Sequence, residues 1–262
     1  MTSGLRYVYA VCRPFGTPLP AQLTGVAGVP PKQLVHHDLA AVVGHVSEGD
    51  FAEEALRAHL EDLDWLGATA RAHQNVIDAL TVVTSPLPLR LATVFRDDSG
   101  VRAMLEQRER AFLRTLDRLD GRVEWGVKVY SDPADASGDA GTGPVSAPAS
   151  SPGRSRPGRD YLRQRRDRRQ EHEEKWERAE RFARRLHESL SGYAEDTRIH
   201  APQNAALSHE PGRNILNAAY LVPRAESEAF VERVDRTKGD ASGLRVELTG
   251  PWAAYSFSGE DT

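Results

Sequence analysis

The chain has 262 residues and a mass of 28.9 kDa, enough for about two domains at roughly 150 residues each. With 39% hydrophobic and 27% charged residues it can bury real cores, yet it has no run of about 18 apolar residues to span a bilayer. The 34 basic and 38 acidic side chains leave a formal charge of −4, so no global field draws the protein to nucleic acid or an anionic membrane. The opening MTSGLRYVYAVCRPFG lacks a basic leader, and Arg13 and Pro14 cut its apolar run short, so no secretory signal is expected. A single cysteine, Cys12, rules out an internal disulfide, and the cytoplasm is the expected compartment.

Residues 6–12 (RYVYAVC) are β-branched and aromatic and predict a strand. After a Pro/Gly-studded connection, 33–36 and 39–46 (LAAVVGHV) predict a hairpin. Asp50, with Glu53 three positions on, has the form of a capping box. It opens a helix in which Leu56, Leu60, Leu63, Leu66, Ala70, His73, Ile77 and Leu80 recur at three- and four-residue steps. That helix is expected to reach about Val82, with a break near Gly67. Residues 86–95 (PLPLRLATVF) predict the next strand, and Ser99 caps a helix carrying Val101, Leu105, Phe112, Leu116 and Leu119 that stops at Gly121.

Residues 123–130 (VEWGVKVY) alternate and predict a strand. The segment 131–158 holds one large apolar residue, Val145, among Ser, Gly, Ala, Pro and charge, which predicts a disordered insertion. A long helix is expected over about 160–191, then strands at 194–201 and 214–222 (NILNAAYLV), a helix over 226–238 and a strand at 244–248 (LRVEL). Gly250 and Pro251 are expected to end that last strand. From residue 123 the order is strand–helix–strand–strand–helix–strand, the split βαβ or ferredoxin-like arrangement. The expected fold is therefore α+β with two mixed domains. An N-terminal one covers 1–120, a ferredoxin-like one covers 121–251 with 131–158 as a mobile insertion, and 252–262 form a tail.

Catalytic and metal signatures are weak. His172-Glu173 opens like H-E-x-x-H, but Trp176 stands where the second histidine belongs. His59 and His73 lie fourteen residues apart on one predicted helix, about 21 Å and too far for one ion. His36, His37, Asp38 and His45 are the remaining group that a hairpin could bring together. Cys12 sits in an apolar strand, where a cysteine behaves as a small hydrophobe. Neither a G-x-S-x-G elbow nor a phosphate-binding glycine loop occurs, and the reading is non-enzymatic, without metal or cofactor.

Two surfaces stand out as partner-binding candidates. Eight arginines fall between 154 and 169, among them Arg165, Arg166 and Arg169. The apolar seam of the long helix runs only from Trp176 through Ala179, Ala183, Leu186 and Leu190 to Tyr193, so its first turns project into solvent or await a partner. The second surface is the aromatic segment Trp252, Tyr255 and Phe257, which either pins the C-terminal stretch onto the domain or offers a patch to a partner.

Several motifs together carry a resemblance. They are Tyr7-Val8-Tyr9; His73, Val76 and Ile77 followed by Pro88-Leu89-Arg90-Leu91; and Glu124-Trp125-Gly126-Val127-Lys128. Tyr161-Leu162 with Arg165-Arg166, then Asn217-Ala218-Ala219-Tyr220-Leu221-Val222, and Thr249-Gly250-Pro251-Trp252 with Tyr255-Ser256-Phe257 continue the series. In this order the chain resembles the gas vesicle protein GvpL/GvpF family, departing from it at Ala253-Ala254, where prolines are usual, and in the length of 131–158. The resemblance implies a non-enzymatic accessory or minor structural protein of gas vesicle assembly. Its expected partners are the small hydrophobic shell protein and other gas vesicle accessory proteins, and its expected location is the cytoplasm and the gas vesicle. Two other readings stay open at the level of sequence: a ferredoxin-like small-molecule-sensing module, and RNA binding through the arginine-rich helix.

Overall fold

A computed structural model of the protein describes residues 4–131, 157–202, 212–239 and 243–259. The expected insertion over 131–158 falls, at 132–156, outside these residues. The chain divides into two compact units. One holds residues up to Trp125 with Leu221–Arg224 and the stretch from Gly250; the other holds Gly126–Tyr220 and Ala225–Thr249.

The first unit is built on strands β1 (Gly4–Cys12), β2 (Lys32–His36), β3 (Leu39–Ser47), β4 (Leu87–Pro88) and β5 (Val94–Phe95). They form an antiparallel sheet in the order β2-β3-β1-β4, with β5 also on β1. A bulge between Val8 and Ala10 shifts the β1–β3 register. Because side chains alternate along a strand, one extra residue flips the face of everything beyond it. Leu5, Tyr7 and Tyr9 thus share a core with Ala10 and Cys12 rather than with Val11, and Ala40, Val42 and Val46 of β3 join them.

Helices α1 (Glu48–Phe51), α2 (Glu53–Leu60) and α3 (Leu63–Val83) follow β3, and α3 supplies Val76, Ile77 and Leu80 to that core. Where one helix with a break near Gly67 is expected, the chain forms three, and Gly67 stays inside α3. The Ser47 hydroxyl accepts from the Asp50 N–H at the start of α1, and the Asp62 carboxylate accepts from the Asp64 and Trp65 N–H groups at the start of α3, whereas the break at Ala52 has no side-chain cap. Asp50 therefore does not cap. The expected strand 86–95 pairs only at its ends, because Ala92 takes a left-handed φ of 61° inside a turn closed from Thr93 N–H to Arg90 C=O. Helices α4 (Asp98–Gln107) and α5 (Glu109–Leu119) are separated at Arg108, and Asp97, not Ser99, caps α4 by accepting from Gly100. With α4 packed on β1, β2 and β3, residues Tyr7 to Cys12 are inaccessible to solvent.

The remaining elements are β6 (Arg122–Ser131), α6 (Pro157–Ser191), β7 (Asp196–Ile199), β8 (Asn214–Pro223), α7 (Ser227–Lys238) and β9 (Leu244–Trp252). Their sheet has the order β7-β8-β6-β9, the ferredoxin-like arrangement. Leu186 and Leu190 of α6 and Phe230 and Val234 of α7 are buried, and Arg233 Nε donates to Ser189 Oγ at 2.7 Å between the two helices. Two boundaries differ from expectation: β7 covers only Asp196–Ile199 of the expected 194–201, and β9 does not stop at Gly250 but runs through a cis Gly250–Pro251 bond to Trp252. An edge strand tolerates a proline because the missing N–H would have faced outward. Gly250 is required there, since its φ is 123° and a Cβ would stand 2.8 Å from the Glu124 carbonyl oxygen.

Candidate interaction site

The groups most suited to chemistry lie deep in the first unit, in structural roles. Tyr7 Oη lies 2.9 Å from His73 Nδ1 and accepts from the Ala92 N–H at 3.1 Å. His73 Nε2 is buried without a partner among the described residues. Burial lowers the His73 pKa to about 4 and holds the ring neutral. Tyr9 Oη accepts from Val26 N–H at 2.8 Å, and burial pushes its hydroxyl up to about 12. Gly25 is needed beside it, because a Cβ there would overlap the Tyr9 hydroxyl. Cys12 is fully buried, and desolvation pushes its thiol up to about 12, far from a reactive thiolate.

The hairpin histidines do not converge. His36 and His37 stack with ring centroids 4.3 Å apart at the turn, whereas His45 pairs with Arg6 near the far end of β3, its Nδ1 3.0 Å from Nη1. Six residues of strand separate His45 from the turn, about 20 Å. His59 stacks on Trp65 at 4.8 Å, and His187 Nδ1 bonds Tyr220 Oη at 2.8 Å.

The aromatic C-terminal segment divides by residue. Phe257 is fully buried, and Ala253 enters the core beside α3. The Glu124 carboxylate, itself buried, accepts from the Ser256 N–H and hydroxyl, both at 2.7 Å. Arg118 donates to the Phe257 carbonyl at 2.7 Å. Tyr255 is half-buried, and its hydroxyl donates to Gln74 Oε1 at 3.1 Å. Burial, with the negative charges of Asp78 and Glu124 adding to it, pushes the Tyr255 hydroxyl strongly upward. These residues pin the segment to the first unit; Trp252, 40% exposed, is the most open of the three aromatics.

The arginine candidates are all accessible. Arg165, Arg166 and Arg169 lie in a stretch of α6, 163–175, in which every residue is exposed, and packing begins at Trp176 under the Arg213 guanidinium at 4.2 Å. Nearby, Tyr220, the aromatic that an RNA-stacking sheet would need on β8, is buried between His187 and Phe230. Sequence patterning missed Glu124 as an organiser. The alternation of Val123, Trp125, Val127 and Val129 puts Glu124 in the opposite register, with Lys128, where an acid reads as an ordinary solvent-facing residue.

No helix of the described residues is long and apolar enough to cross a membrane. The chain is 56% identical over 258 residues to gas vesicle protein L of Streptomyces sp. (strain CB03234), covering 98% of this chain and 94% of that protein. It is 29% identical to gas vesicle protein F of the same strain, across 96% of this chain and 98% of that protein. Among solved structures, GvpF from Anabaena sp. PCC7120 superposes with a TM-score of 0.68 at 18% identity, over 99% of this chain and 98% of that one. GvpF from Microcystis aeruginosa gives 0.65 at 18% identity, over 99% and 100%. These two share the fold. The family model for gas vesicle synthesis protein GvpL/GvpF matches residues 5–259, and the chain belongs to that family.

Proposed function

We propose that this protein is a non-catalytic accessory factor of gas vesicle assembly that binds the small hydrophobic shell protein and other accessory proteins of the organelle. The observation that carries the reading is the family match along residues 5–259, both units included. The buried polar chemistry supports it: Tyr7, Tyr9, Cys12 and His73 serve packing and offer a substrate no reactive group. A shell subunit with a large apolar surface needs an apolar or strand-pairing face to meet in water. Within the first unit such faces are Trp252 and the outer edge of β2, where Val35 is 53% exposed.

A pull-down with purified shell protein tests this. Trp252→Ala combined with Val35→Lys lowers recovery about tenfold or more while the circular dichroism spectrum is kept. Equal recovery with the parent and variant proteins removes this face from the contact, and no recovery with either removes the shell protein as a direct partner.

A further inference from the structure

The exposed arm of α6 conflicts with what a lone solvated helix favours. Over 163–175 it has no apolar residue and no buried one, so packing contributes nothing to it. Its charges are segregated: five arginines and one aspartate over 163–169, then Glu171, Glu173 and Glu174. Arg165 and Arg166 have no acidic residue three or four positions away on either side. Arg169 does reach Glu173, at 3.8 Å, but with the base N-terminal to the acid, the weaker orientation of such a pair. Gln170 Nε2 also donates to Glu174 Oε1 at 3.2 Å, and Arg181 pairs with Glu177 at 3.3 Å, all within the helix. A basic block beside an acidic block, with every side chain of 163–175 exposed, is a self-complementary surface.

We infer that this arm is a docking face for the same arm of a second copy of the chain, the two helices running antiparallel about a two-fold axis at Gln170. Arg163, Arg166, Gln170, Glu173, Glu174 and Glu177 follow one another at one-, three- and four-residue steps and share a face of α6. An antiparallel partner centred on Gln170 sets each residue level with the one equally far on the other side, so Arg166 faces Glu174 of the second copy and Arg163 faces its Glu177. The two-fold repeats each pair, as an isologous contact requires. Gln170 meets its own symmetry mate, where a charged side chain would be repelled. Asp167 is the one acid left on the basic side of this face. With no apolar centre the contact belongs at the weak end of the range and depends on charge. It is independent of shell-protein binding.

Sedimentation velocity on the full chain tests it. At about 20 mM salt the protein dimerises near 100 µM, and at about 500 mM salt, where the screening length is only a few ångströms, association falls at least tenfold. Arg163→Glu with Arg166→Glu makes the basic half of this face acidic, and Glu173→Arg with Glu174→Arg makes most of its acidic half basic. Each variant alone is monomeric, and an equimolar mixture of the two forms a heterodimer. That rescue cannot come from misfolding. A parent chain that stays monomeric at low salt, or variants that each dimerise like the parent, overturn the inference. A parent that stays monomeric but binds a poly-glutamate peptide or RNA overturns it too, and gives the arm to that partner.

Discussion

At the scale of single residues, His73 illustrates how a position can look chemical and act structurally. Its ring is buried, neutral and bonded to Tyr7, so folding must exclude a proton that the unfolded chain would take up. The native pKa of about 4 lies below the ordinary value of 6.5. Between those limits the unfolded state binds more protons, so stability rises with pH. The contribution is complete above pH 6.5 and is lost as the pH falls toward 4, on the order of 3 kcal/mol in all. Urea unfolding at pH 7 and pH 4.5 is expected to show that loss, and His73→Phe is expected to flatten it. In the sequence His73 was legible only as a member of an apolar stripe. Its partner Tyr7 lies 66 positions away, and no local pattern reports so distant a hydrogen bond.

Elements show where the periodic reading succeeds and where it stops. Strand and helix identity followed from alternation and from three- and four-residue spacing, because those periods are imposed by the backbone itself. Boundaries did not, because they are fixed by individual side chains that cap, as Ser47, Asp62 and Asp97 do, each a few residues from where spacing suggested. The bulge in β1 was likewise silent: RYVYAVC reads as plain alternation, yet both Tyr9 and Ala10 enter one core. For α6 the truncated seam did foretell that packing starts at Trp176. Hydrogen exchange should follow this division, with amides of 163–175 exchanging far faster than those of 179–190, since only the latter turns are held by buried side chains. Uniform protection along the whole helix in a monomeric sample would contradict that division.

For the whole molecule, the resemblance of ordered motifs identified the family, and the ferredoxin-like order was readable from element succession alone. The role of the C-terminal segment was not readable, since aromatic residues at an exposed end and at a buried one look the same in sequence. Its energetic weight is large. Phe257→Ala removes a fully buried ring and is expected to cost about 3–5 kcal/mol, a drop visible in the thermal midpoint. Glu124→Gln, which weakens both hydrogen bonds to Ser256, is expected to cost about 1–3 kcal/mol. A fragment of residues 1–120 omits Glu124, Leu221–Arg224 and Gly250 onward, all parts of the first unit, and should fail to give a cooperative unfolding transition. Adding a peptide of residues 250–259 to a fragment extended to Trp125 should raise its midpoint.

That threading has a consequence for synthesis. The ribosome makes β1 first, but Ala253 and Phe257, which help close the body around it, emerge only after the other unit has been translated. Vectorial folding, domain by domain as the polypeptide appears, is therefore barred to the leading half, which must wait in an unfinished state while more than a hundred residues are added behind it.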